Sequence, residues 1–227
     1  MLELIVQNHE EAVEAEKLGA TRLELVSAIS EGGLTPSYGT MKKVFESVSI
    51  PVFTMIRPHS FRFVYSEEDA EIIEQDILRL LSLGQHRIVF GALLADGSID
   101  EKLLKRVIQL SPKLEITFHR AFDETKDQIE AYKILAKYPQ VKWLLTSGGS
   151  ENCLAGKEQL RKLVELSREL DGPTIMPGAG LSEDNISEIH EYVQAKLYHF
   201  GSAVRMDRSF AKGFDRKKVE EIIKKLK

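Results

Sequence analysis

The chain has 227 residues, 43% hydrophobic and 29% charged, and its 31 basic and 35 acidic side chains give a formal charge of −4. This composition predicts one large globular domain, 1–227, with a full core. It lacks the concentrated positive field that nucleic-acid backbones require, so no nucleic-acid partner is expected. The start, MLELIVQNHEEAVEAE, turns acidic within a few residues and shows neither a basic leader nor an apolar stretch of bilayer length, so the expectation is a cytoplasmic protein with no membrane partner. Cys153 is the sole cysteine, which rules out an internal disulfide and a thiol cluster for a metal.

Short β-type runs alternate with amphipathic helical stretches from end to end. The first strand is predicted over Leu2–Val6, with Gly19 stopping the helix that follows, and the second over Arg22–Val26. The segment 27–39, SAISEGGLTPSYG, is long for a connection, whose usual length is about 2–6 residues, and is read as a functional loop. A third strand is predicted over Val52–Arg57. The helix after it opens on Ser66-Glu-Glu-Asp69, a capping box with Asp in place of Glu, and stops at Gly84. Further strands are predicted over Arg87–Leu93, Glu115–His119, Trp143–Ser147, Thr174–Gly178 and Leu197–Gly201. Gly172 is read as a helix stop, and Ser182 and Asp215 as N-caps. Eight βα units in this length predict a single (β/α)8 TIM barrel, while an open doubly wound sheet shares the same alternation.

Strand side chains alternate faces, so each strand's polar positions can be assigned to the lumen. Glu3 and Glu24 then face inward, opposite Leu2, Leu4, Leu23 and Leu25. Thr117 and His119 oppose Ile116 and Phe118, His199 and Gly201 oppose Tyr198 and Phe200, and Phe53, Met55 and Arg57 share one face with Arg57 at the C-terminal rim. Barrel lumens are ordinarily filled by branched apolar residues, so these charges must pair. Either Glu3 and Glu24 neutralise Arg57 and brace the histidines as struts, or the set is a site. The motif TFHRAFD places Arg120 and Asp123 just after His119. One of them faces the pocket and the other braces the loop, an alternative the residues leave open. Gly148 in TSGGS, Gly178 and Gly180 in PGAG, and Gly201-Ser202 after the last strand lie at successive strand ends, where backbone N–H groups approach a small anion. Arg57, Arg120 and an outlying Arg205 add positive charge around that mouth or, for Arg205, face solvent.

SEGGLTPS, the IRP at 56–58, TFHRAFD, LTSGG and PGAG occur in one register along the chain and resemble the CutC family over nearly its whole length. The resemblance implies a (β/α)8 barrel, a cytoplasmic home, a homo-oligomer and a part in copper homeostasis, with a copper ion as ligand. Some members carry cysteines at the ends of the first two strands, the thiols offered as a copper(I) site. Here Ile5, Val6 and Val26 stand in those places, and Met55, Met176, His119 and His199 are the softer donors that remain.

Two function classes follow. One is the copper-tolerance role implied by the resemblance. The other is a lyase, aldolase or isomerase acting on a small anionic or phosphorylated substrate, with Glu24 or His119 as general acid or base, Arg57 and Arg120 clamping the anion and Asp123 orienting its neighbours. No lysine stands at an inward strand position, which disfavours a Schiff base. A barrel that senses a small molecule without turning it over is a third reading.

Overall fold

A computed structural model describes residues 1–227. Eight strands alternate with eight α-helices: β1 (Leu2–Val6), α1 (His9–Lys17), β2 (Arg22–Leu25), α2 (Tyr38–Phe45), β3 (Val52–Met55), α3 (Glu67–Ser82), β4 (Arg87–Phe90), α4 (Glu101–Gln109), β5 (Glu115–Phe118), α5 (Gln128–Leu135), β6 (Val141–Thr146), α6 (Lys157–Glu169), β7 (Thr174–Pro177), α7 (Ile186–Val193), β8 (Tyr198–Phe200) and α8 (Arg216–Lys225). All pairings are parallel, in the order β7-β6-β5-β4-β3-β2-β1-β8. A parallel bridge between Gly178 and His199 draws β7 to β8 and closes the ring. The sheet therefore has no switch point, and the barrel expectation holds over the open sheet. No helix is long and apolar enough to cross a membrane.

Several strands stop a residue or more before the apolar runs that suggested them. β3 ends at Met55 and β4 at Phe90, while β6 starts two residues early, at Val141. The helix ends follow local chemistry. Ser66 and Asp69 exchange both bonds of the capping box, and Asp215 caps α8 through the N–H groups of Lys217 and Lys218. Two expectations fail. Ser182 does not cap α7, which begins four residues later behind Asn185; the Ser182 N–H donates to Asn185 Oδ1 and its hydroxyl accepts from Asp184, forming a separate turn. Gly172 is not the left-handed stop of α6, because Asp171 takes that conformation (φ 47°). Gly172 is instead small because a Cβ there would stand 2.5 Å from the Tyr132 hydroxyl.

The outward faces of the strands pack under the helices in the main core, whereas Ile5, Val26, Phe53, Met55 and Val89 form a separate apolar cluster in the lumen. Below it lies a charged plug that fills the barrel. Arg22, 4% exposed, bonds Glu3 Oε2 through Nε at 2.5 Å and Thr117 through Nη2 at 2.8 Å. Its guanidinium lies 3.4 Å from the Phe53 ring centroid and 4.5 Å from that of Trp143. Aromatic faces and a paired carboxylate together make a buried guanidinium tolerable.

Candidate functional site

The strands' C-terminal ends open onto a cavity of about 530 Å³, a volume suited to a small metabolite. Glu24, Arg57, His119, Arg120, Gly178, Gly180, Gly201 and Ser202 all line it. His199 lines it too; face alternation on β8 turns it inward, but the polar cluster of TFHRAFD draws a sequence reading to His119 instead. Asp123 and Gly148 are not among the lining residues. Asp123 braces the loop after β6, accepting from the N–H groups of Ser147 and Gly149 and from the Thr146 hydroxyl. Gly148 (φ 76°) is packed so closely on the Gly156 carbonyl that a Cβ would meet it at 2.6 Å. The open choice within TFHRAFD is thus resolved: Arg120 reaches the cavity, and Asp123 holds Arg120 Nε at 2.8 Å.

Glu24 is 3% exposed and its Oε1 has no hydrogen-bond partner. Burial pushes its carboxyl up to about 7, with the attraction of His199 opposing and the charge of Glu3 adding to the rise. His119, just past the end of β5, lines the same cavity three strands away around the ring. Burial, with the nearby Arg57 charge adding, lowers its pKa to about 3, so the ring is neutral. Its Nδ1 accepts the Ala121 N–H at 3.2 Å, which leaves the ring proton on Nε2, a buried atom with no partner. The site therefore holds a carboxyl that exchanges its proton near neutrality and a neutral imidazole that presents an N–H.

Arg57 pairs with neither Glu3 nor Glu24. Its Nη1 donates to the carbonyls of Glu31 (3.1 Å) and Gly33 (3.4 Å), and its Nη2 to that of Ser60 (3.2 Å), above the Phe63 ring. The long segment after β2, closed by a Ser27–Leu34 bridge, is thereby tied to the rim and adds Ile29 and Gly32 to the cavity wall. On the far rim the N–H groups of Gly180, Ser202 and Ala203 find no acceptor in the chain, while that of Gly178 is taken by the Thr146 carbonyl. Gly178 is small for packing, since a Cβ would run into Leu145. Arg205 departs from both sequence expectations. It is fully buried away from the cavity, with Nη2 on the Ile5 carbonyl (2.8 Å) and Glu11 (2.7 Å), stacked on Phe214. Arg208, not singled out in the sequence, takes the mouth position beside Asp184.

Soft-metal donors are sparse in this cavity. Cys153 is buried outside it, and burial, with the Asp123 charge adding, pushes its thiol up to about 12. Met55 supplies a thioether to the wall. Glu3, Glu24 and His199 present donor atoms within 4.8 Å of one another. Glu3, however, is already held by Arg22 and His199, which leaves fewer free donors than the three or four a protein metal centre uses.

A closed parallel barrel with a ligand-sized polar cavity at its C-terminal mouth defines the class, a (β/α)8 TIM barrel. The model of the CutC family matches residues 1–203. The copper homeostasis protein cutC homolog of Homo sapiens is 39% identical over 199 residues, covering 88% of this chain and 72% of that protein. The homolog of the same name in Dictyostelium discoideum is 34% identical, covering 90% and 82%. The chain belongs to the CutC family. The crystal structure of CutC from Streptococcus agalactiae superposes with a TM-score of 0.81 at 29% identity, covering 88% of this chain and 97% of that one. Phosphoribosyl anthranilate isomerase from Thermotoga maritima, at 15% identity and a TM-score of 0.63, shares the fold.

Proposed function

We propose that this CutC barrel is an enzyme that transfers protons on a small anionic substrate, an isomerase or lyase. The observation that carries the reading is Glu24: a buried carboxyl with an unpartnered oxygen, at the wall of a ligand-sized cavity that a neutral histidine with an unpartnered Nε2–H also lines. A strut would have its lone pairs filled; this arrangement is unfavourable for stability and suited to catalysis. In the reading, Glu24 takes a proton from the substrate, His119 Nε2–H binds the oxygen on which charge develops, and Arg57 and Arg120 attract the anion. Asp123 acts at one remove, by fixing Arg120. The unpartnered amides of Gly180, Ser202 and Ala203 favour placing the substrate's charged end, a phosphate or carboxylate, between the β7 and β8 loops.

Copper handling, named for the human and Dictyostelium relatives, is the second reading, and Met55 with two imidazoles among the residues that line the cavity favours it. In that reading a copper ion is cargo, bound without thiolate. Both readings keep the cytoplasmic, self-associating character implied by the family resemblance. Purification from the host under native conditions, with mass spectrometry for organic ligands and elemental analysis for copper, separates them. An organic anion at near one per chain supports the enzyme; copper at that ratio with no organic ligand overturns it.

A further inference from the structure

His199 and Glu3 lie beside Glu24, with donor atoms of all three within 4.8 Å of one another. The strands β2, β1 and β8 are neighbours, and the register sets Glu3 against His199 and Ile5 against Glu24. The three side chains therefore meet on one wall. Glu3, fully buried, has both oxygens engaged: Oε2 takes Arg22 Nε at 2.5 Å, and Oε1 takes His199 Nδ1 at 2.7 Å. A carboxylate so held is ionised and immobile, so His199 Nδ1 carries its proton and the ring cannot turn. Its Nε2 is then directed at Glu24 Oε2, 3.9 Å away. That separation is too long for a hydrogen bond and suits one bridging substrate or water atom. The charged groups around the pair are Arg22 on β2, below it, and Arg57 at the end of β3 on the rim; His119 at the end of β5 is neutral.

We propose that Glu3, His199 and Glu24 form a proton relay, in which His199 Nε2 and Glu24 hold one exchangeable proton between them and Glu3 is the positioning residue that fixes the imidazole. This deepens the proposed function and rests on it. Glu24 accepts the proton of a substrate C–H bond as that bond breaks, and the electron pair moves onto the adjacent carbonyl oxygen, where His119 Nε2–H stabilises it. His199 Nε2 delivers the proton it holds to a neighbouring atom of the same molecule, forming one bond for the one broken, and the proton taken up by Glu24 replaces it as the shared one. Nothing is oxidised or reduced and no second reactant enters. A relay that returns a proton to the molecule that lost one makes the reaction an isomerisation of a small anionic carbonyl compound.

Protein labelled with 15N-histidine and 13C-carboxyl glutamate, titrated by NMR between pH 5 and 9, tests the relay without a substrate. The expected result is a single midpoint shared by His199 Nε2 and the Glu24 carboxyl. In Glu24→Gln the His199 midpoint drops by at least about one pH unit. In Glu3→Gln the fixed Nδ1–H signal is lost as the two tautomers interconvert, and Glu3→Asp restores it in part. Independent titrations, or a His199 signal that Glu24→Gln leaves in place, would make these residues struts and overturn the relay. Glu24→Gln decides the matter even where Glu3→Gln fails to fold. An organic anion copurifying with protein that shows no shared midpoint removes the relay and leaves the proposed function standing; a shared midpoint with copper as the only retained ligand does the reverse.

Discussion

Replacing Glu24 by glutamine should make the protein more stable at pH 8 and leave it nearly unchanged at pH 5. The carboxyl titrates at 4.5 when free and at about 7 in the fold. Below pH 4.5 it is protonated in both states and contributes no penalty. Between 4.5 and 7 the unfolded chain ionises first, so stability falls as pH rises, and above 7 the full penalty of about 3 kcal/mol is present. His199 acts in the same direction. Burial draws its pKa down, but the charges of Glu24 and Glu3 outweigh it and raise it, so its stabilisation is complete below about pH 6.5 and is lost as pH rises through the folded value. Glutamine removes the Glu24 penalty and also part of the support for His199, which leaves a net gain of about 1–3 kcal/mol at pH 8. For a chain of this size that corresponds to a melting temperature higher by about 2–12 °C. Guanidinium unfolding and calorimetry of both proteins at pH 5 and pH 8 would measure it. Equal destabilisation at the two pH values would show that Glu24 is a satisfied strut and refute the reasoning.

Arg205→Ala removes a fully buried guanidinium from Glu11, the Ile5 carbonyl and the Phe214 ring. It should lose about 3 kcal/mol, or about 6–12 °C in melting temperature, and a loss below about 1 kcal/mol in guanidinium unfolding would contradict the clamp. Arg57→Ala should weaken inorganic phosphate binding by at least about tenfold in calorimetric titration while the melt remains cooperative; wild-type affinity would remove that residue from the site. The Cys153 thiol, held at about 12 against an ordinary 9.0, should react with a disulfide reagent at pH 8 about a thousandfold more slowly than a free thiol until the chain unfolds. Competition against a copper(I) chelator should be unchanged by Cys153→Ser, and tight binding that vanishes in that variant would speak against the donor assignment.

The barrel was legible because parallel strands carry long apolar faces at a period of two, separated by helices with strong caps such as Ser66 and Asp215. The same parity turned Glu3, Glu24, His119 and His199 inward. What parity does not contain is register. It places Arg22 in the lumen with Glu24, but only the pairing of β2 with β1 and β3 shows that Arg22 lies one layer lower, against Glu3 and Phe53, and so meets the charge that Arg57 was expected to balance. Loops hide more. Arg205 and Arg208 are three residues apart, and left-handed backbone at Asp207 and Arg208 lets one go to the core and the other to the mouth. Glycine motifs are similarly ambiguous: Gly180 lies beside the cavity, whereas Gly148 is required by the Gly156 carbonyl, and the sequence of either turn looks the same.

The central claim is that Glu24 moves a proton to and from carbon on a small anion. Incubating the protein in D2O with a dialysable metabolite extract of its host, then reading non-exchangeable deuterium by mass spectrometry, tests it directly. One small anionic carbonyl compound should gain deuterium with the wild-type protein and gain none with Glu24→Gln. Deuterium incorporation undiminished in Glu24→Gln, or no labelled metabolite from a wild-type protein that retains stoichiometric copper, would contradict it.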